Sequence, residues 1–167
     1  MPKIFLIFVI TFFFSQTLNC EEIFGTPKII DGDTIHIYSK KIRLEGIDAP
    51  EIKQQCKKPF IKISSVIGFQ FNKSYSCGVM AKIKLIDKID NSKIKCISSS
   101  KDRYKRFLAT CYKEMINLNK WMVRNGYAVA YKRYSKKYVR DEEYAKENKL
   151  GIWKGTFIAP EKWRKLN

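Results

Sequence analysis

The sequence predicts an α+β fold: a small barrel of five short strands, with one helix set between the third and fourth strands and further helices at the end. Three observations carry this. Short β-prone runs recur between turn signals, a single stretch in the middle of the chain switches to helical spacing, and the last third of the chain is helix-like and strongly basic. A length of 167 residues with 45% apolar side chains suits one domain with a real core and excludes a disordered chain.

Taken in order, the first strand-like run is Phe24 to Ile30. The second, Thr34 to Tyr38, alternates, with Ile35 and Ile37 on one face and Thr34, His36 and Tyr38 on the other. The single histidine therefore falls on the face away from the core, which argues against histidine chemistry. Lys41 to Gly46 is the third run. Residues 52 to 76 show no clean period and contain Pro59, Gly68 and several serines, which reads as a loop insertion. From Ser76 to Asp90-Asn91 the spacing of Val79, Met80, Ile83 and Ile86, with Leu85, predicts a helix. The runs KIKCI (93 to 97) and RFLATCY (106 to 112) flank a polar stretch as in a hairpin. Asn117 caps a short helix through Trp121, Met122 and Val123, and Gly126 terminates it. A brief strand at Tyr127 to Tyr131 follows. A last helix runs from Lys137 to Lys149, ends at Leu150-Gly151, and leaves a basic, aromatic tail. The sequence contains no internal repeats or low-complexity segments.

Lys3, the apolar run Ile4 to Phe14 and the more polar Ser15 to Cys20 follow the order of a secretory signal. The run is short for a bilayer span, which needs roughly 20 apolar residues. The expected division is a signal peptide over residues 1–20 and one domain over 21–167, against an uncleaved anchor or a buried helix. Cys20 suggests lipid attachment, but Leu18-Asn19 lacks the small residues such sites place before the cysteine. Beyond residue 20 the cysteines are Cys56, Cys77, Cys96 and Cys111. An even number in an exported chain reads as two disulfides, for which four cysteines allow three pairings. Local order favours Cys56–Cys77 and Cys96–Cys111, and the hairpin pattern supports the second pair. The absence of any CxxC or neighbouring histidine pair argues against a zinc site. The net charge is +17, and losing residues 1–20 would remove only Lys3 from it. Such a surface seeks polyanions, although a lysine-rich codon bias would give the same composition.

Against that basic background, Asp31, Asp33, Asp48 and Glu51 stand within a short span. Asp31-Gly32 is accounted for by a tight turn. Asp48 and Glu51 in GIDAPE are not, and Pro50 stiffens the chain between them. If the first and third strands are neighbours, Asp33 and Asp48 converge, and oxygen-only ligands favour a hard ion, calcium or magnesium. Arg43, expected on the same strand as Asp48, offers a planar fork suited to phosphate, and DRYKR adds Arg103 and Arg106. Carboxylates around a hard cation, a spare glutamate and arginines are parts that phosphodiester hydrolysis uses.

Read in order, DGDTIHI, IRLEGIDAPE, DRYKRFLA, LNKWMVRNGYAVAY and KENKLGIW resemble the staphylococcal nuclease-like (thermonuclease) family over most of residues 23 to 155. GIWKGTFIAPEKWRK is similar to exported bacterial members, several of which carry comparable cysteines. The resemblance implies a five-stranded OB-fold barrel with three helices and calcium-dependent cleavage of DNA and RNA. By motif position it implies calcium ligation by Asp33, Asp48 and the carbonyl of Ala49, and water activation by Glu51. It gives Arg43 and Arg106 to the scissile phosphate and Tyr104 and Tyr131 to the nucleotide pocket. Asp31, Arg103 and Lys105 receive no chemistry. Three departures stand out: Tyr131 is offset by one residue from its glycine, Lys105 and Phe107 replace residues that are often glycine, and the stretch 57 to 76 is long. The expected protein is thus a periplasmic or secreted calcium-dependent nuclease acting on DNA and/or RNA, with no obligate protein partner and no stable membrane span once the signal is removed. The alternatives are a catalytically inactive OB-fold module that binds nucleic acid, and a cationic protein that binds the cell envelope.

Overall fold

The computed structural model describes residues 20–63 and 69–167, and leaves the side chains of 61–63 and 69–70 undescribed. Of the expected signal peptide only Cys20, an exposed free thiol, lies within this range. Among the described residues no helix is long and apolar enough to cross a membrane.

The main sheet is built from β1 (Glu21–Gly25), β2 (Lys28–Ile29), β3 (Thr34–Ile37), β4 (Lys40–Leu44), β8 (Ile94–Lys101) and β9 (Phe107–Lys113), in the order β1-β8-β9-β4-β3-β2. All neighbours are antiparallel except β4 and β9, which run parallel. A seventh short strand, β10 (Ile116–Asn117), pairs with β9. The expected single strand Phe24 to Ile30 is two strands, because the chain breaks at Thr26-Pro27, where proline has no N–H to give to a ladder. The break matters: β1 lies on one edge of the sheet and β2 on the other, so two residues join the edges and curl the sheet toward a barrel.

Inside the curl, Ile35 and Ile37 of β3 and Ile42 and Leu44 of β4 are buried with Leu118 and Met122. The strand alternation read from the isoleucines holds. The third expected strand ends at Leu44, and a separate β5 (Ile47–Asp48) turns away to pair with β11 (Val129–Ala130), so Arg43 and Asp48 lie on different strands.

Residues 52 to 76 are a hairpin rather than a loop: β6 (Gln55–Ile63) pairs with β7 (Phe69–Ser76) in a sheet of their own. At its base Cys56 and Tyr75 pack with Cys77 and Ile152, and Lys57 bridges to Thr156, while Lys57, Lys58, Phe60, Phe71 and Lys73 are exposed along it, so its described side chains carry no long alternating apolar run. Helix α1 (Cys77–Ile89) follows, turned from its expected face. It buries Cys77, Gly78, Ala81, Leu85 and Ile89 and exposes Val79, Ile83 and Ile86. Two constraints at its first turn set this rotation. Cys77 is bonded to Cys56, and Gly78 lies so close to the Glu51 carbonyl that a Cβ would stand 1.8 Å from the oxygen.

The second disulfide joins Cys96 to Cys111, directly opposite each other on β8 and β9. Asn117 caps α2 (Leu118–Arg124) by accepting from the Lys120 N–H, and Gly126 follows with φ +68°. The last expected helix is α3 (Val139–Glu147), and a 3-10 turn covers Gly151–Lys154. The basic tail is not irregular, since α4 (Pro160–Leu166) forms in it. The α+β, OB-like class is as expected; among the described residues there are more strands than five, and four α-helices against about three expected.

Asn119 ties α2 to the barrel. Fully buried, it accepts from the Cys111 N–H at 3.0 Å and donates to the carbonyls of Glu45 at 2.9 Å and Ala109 at 3.0 Å. Truncation strands these backbone groups out of reach of water, so Asn119→Ala is expected to cost about 2–4 kcal/mol in urea unfolding. Unchanged stability would mean that apolar packing alone docks α2.

Candidate active site

The site grows from the turn into β3. Asp31 accepts from the Asp33 N–H at 2.9 Å and the Thr34 N–H at 2.6 Å, closing an Asx turn that aims Asp33 inward. Burial, and after it the charge of Asp33, pushes the Asp31 carboxyl up to about 6 against the pull of those N–H donors. Gly32 is required by close approach, since a Cβ there would stand 2.6 Å from that of Ala49. The two carboxylate-bearing loops therefore touch.

Asp33 and Asp48 do converge, and what lies between them is Arg43. Thr34 faces Arg43 in the β3–β4 register, which places the guanidinium beside the turn. Its Nη1 donates to Asp33 Oδ1 at 2.6 Å and its Nη2 to Asp48 Oδ1 at 3.0 Å. Asp33 also accepts from the Thr34 hydroxyl at 3.1 Å and the Ala49 N–H at 2.9 Å. Both carboxylates are almost out of water, at 4% and 1% exposure. Burial works to neutralise Arg43, but Asp33 and Asp48 outweigh it and hold the guanidinium charged.

Glu51 is half-buried and stands on a turn fixed by Gln54, whose N–H reaches the Glu51 carbonyl at 2.7 Å. From the other side, Asp102 organises the Arg106 loop. One Asp102 oxygen accepts from the Tyr104 and Arg106 N–H groups at 2.9 and 3.0 Å, and the other accepts from Arg106 Nε at 2.7 Å. Burial would raise the Asp102 carboxyl, but these donors, Arg106 foremost, hold it below its ordinary range. Lys105 adopts φ +61° in this turn, the conformation that suits glycine at that place. Tyr104 is exposed, with the Arg106 guanidinium 5.4 Å from its ring centre. Tyr131 lies 5.9 Å from the Arg43 guanidinium carbon and packs edge-on against Tyr134.

Asp33, Arg43, Ala49, Glu51, Tyr104, Arg106 and Tyr131 line one cleft of about 850 Å³. Asp48 is not in its lining. It lies beneath, and its cover is a residue that sequence reasoning missed. Arg164 of α4 donates to both Asp48 oxygens, at 2.9 and 3.0 Å, and to Glu51 Oε1 at 2.8 Å. Burial lowers the Arg164 guanidinium, but Asp48 and Glu51 more than reverse this and raise it. Burial in turn raises the Asp48 carboxyl, opposed by the Arg164 hydrogen bonds. A signal for α4 was present: Pro160 followed by Glu161 marks a helix start, and Arg164 falls one turn later.

Among the described residues no three Asp, Glu, His or Cys side chains meet as a ready metal cage. The donor chemistry nevertheless fits a hard cation, since two converging, buried carboxylates present oxygen and nothing softer.

The family described as Staphylococcal nuclease homologue matches residues 41–155, a span that holds Arg43, Asp48, Glu51 and Arg106 but neither Asp33 nor Arg164. An uncharacterized endonuclease of Haemophilus influenzae is 34% identical over 146 residues, covering 83% of this chain and 70% of its own length. The succinoglycan biosynthesis protein ExoI of Rhizobium meliloti is 31% identical over 80% of this chain and 66% of its own. A micrococcal nuclease of Shigella flexneri is 28% identical over 84% of this chain and 79% of its own.

Proposed function

Because this chain belongs to the staphylococcal nuclease homologue family and so to the hydrolytic nucleases, we propose that it is an exported, calcium-dependent enzyme that cleaves phosphodiester bonds of DNA and RNA by attack of water. One observation carries the reading. Two buried carboxylates held by one arginine lie against a cleft whose walls carry a carboxylate, Glu51, and a second arginine, Arg106.

Calcium would be held by Asp33, Asp48 and the Ala49 carbonyl, where it would supply a hard positive charge to the phosphate oxygens. Glu51 would orient the attacking water and take its proton as the water oxygen bonds to phosphorus. Arg43 and Arg106 donate to the phosphate oxygens as negative charge grows on them, and the leaving oxygen departs with a proton from solvent. Tyr104 and Tyr131 offer ring faces to the flanking nucleotide, and the basic surface draws the polyanion in.

Arg43→Lys keeps the charge and loses the fork, and Glu51→Gln keeps the shape and loses the base. Each is expected to lower cleavage at saturating calcium by ~10²–10³, while anisotropy with a labelled oligonucleotide shows binding retained. Near-normal turnover with weakened binding in both would instead favour a nucleic-acid-binding module without catalysis.

Export is supported by the charged and then apolar N-terminus and by two disulfides, which persist in oxidising compartments. Intact-mass analysis of the protein from its native source is expected to show a chain starting near residue 21 with Cys56–Cys77 and Cys96–Cys111 linked. A chain beginning at Met1 with free thiols would contradict this.

A further inference from the structure

Arg164 does more to Asp48 than a brace needs. Its two terminal nitrogens take both carboxylate oxygens side by side, and Arg43 adds a third donor on Oδ1. Asp48 is 1% exposed and thus has little access to water or to a further ligand from outside. A hard cation on Asp48 needs at least one of these oxygens at close range, where it would also face the Arg164 charge across the shared carboxylate. A bidentate guanidinium and a dication cannot occupy the same edge of one carboxylate together. The same arm holds Glu51 Oε1, the carboxylate assigned to the water.

The element that delivers Arg164 is lightly attached. In α4 only Pro160 is buried, while Lys162, Lys165 and Leu166 are exposed and Trp163 is half-buried. Its other ties lie at its start: Gln54 Nε2 donates to the Ile158 carbonyl at 2.6 Å, and Arg133 pairs with Glu161 at 3.0 Å on the surface. The C-terminal turn of the helix is held chiefly through Arg164 itself. Local opening of a short helix with so few buried contacts lies at the low end of the stability range.

We propose that Arg164 is a built-in competitor for the active-site cation, so that calcium at Asp48 and the docked end of α4 exclude each other. This rests on the reading of Asp33 and Asp48 as the cation site. Coupling of this kind is reciprocal: the docked arm weakens calcium binding by the same factor by which calcium weakens docking. The C-terminal helix then sets the calcium concentration at which the site assembles, and its release frees Glu51 at the same moment.

The test uses the oxidised protein and calcium alone, with no nucleic acid. Isothermal titration is run on the wild type, Arg164→Gln and Arg164→Lys, and amide hydrogen exchange is followed over residues 158–167 with and without calcium. Arg164→Gln is expected to bind calcium ~10-fold more tightly. Arg164→Lys, which cannot grip both oxygens, is expected to lie nearer Gln than wild type. In the wild type, calcium is expected to speed exchange at the end of α4, and in Arg164→Gln that exchange is already fast and insensitive to calcium. Equal calcium affinity in all three proteins, or a wild-type α4 whose exchange calcium does not change, would make Arg164 a brace and overturn the proposal. So would an Arg164→Lys that matches wild type, since charge alone would then explain the Gln result. Calcium binding to none of the three would reject the cation site itself, and the competition with it.

Discussion

Two carboxylates side by side and nearly out of water repel each other and have lost hydration, and positive charge between them offsets both costs. Arg43 supplies that charge. Its fork spans Asp33 and Asp48 at 2.6 and 3.0 Å, and the rest of the site is arranged around it. The placement follows from strand alternation: Ile42 and Leu44 go into the core, so Arg43 between them must face the cleft. A slip of one residue in the β3–β4 register would bury the guanidinium among isoleucines, strip Asp33 of its cationic partner and leave Asp48 to Arg164 alone. The register is held by the Asx turn at Asp31 and by the Leu44 N–H, which donates to the Asp33 carbonyl at 2.8 Å.

Glu51 and Arg106 reach the same cleft by different routes. Glu51 is carried on a backbone turn pressed against Gly78, so the first turn of α1 and the Cys56–Cys77 bridge determine where its carboxylate stands. Arg106 comes from the β8–β9 connection, where a single aspartate shapes the loop and also takes the guanidinium. The parallel pairing of β9 with β4 brings that loop beside Arg43. Chemistry drawn from three segments of the chain is thus assembled by sheet topology, with each side chain pre-aimed by a backbone contact.

Much of this was legible in the sequence because it depends on local patterns. The alternation of Ile35 and Ile37 with polar neighbours gave β3 its faces, the two flanking runs placed Cys96 opposite Cys111, and Asn117 marked the start of α2. The unusual acids in a basic chain pointed to the site. What was not legible depended on tertiary context. The apolar stripe of α1 was read on Val79, Met80, Ile83 and Ile86 with Leu85; Leu85 does go inward, but the disulfide and the tight contact at Gly78 turn the helix so that Ala81 and Ile89 join it while Val79, Ile83 and Ile86 face out. The β6–β7 pair buries Cys56 near its base but exposes Lys57, Lys58, Phe60, Phe71 and Lys73, so its described side chains give little periodic signal. Arg164 stands more than a hundred residues from its partners, in a helix too short for its own period to announce it. The sequence reading put a hard cation between Asp33 and Asp48; in this structure the guanidinium groups of Arg43 and Arg164 contact these carboxylates.

On the proposed reading, these paired carboxylates form the cation-dependent centre of a phosphodiester hydrolase. Digestion of supercoiled plasmid by the oxidised protein at low salt, with calcium on one side and excess chelator on the other, tests it most directly. Conversion to nicked and linear DNA with calcium and none in chelator is the predicted result. Equal cleavage in chelator, or plasmid bound but left intact at saturating calcium, would contradict it.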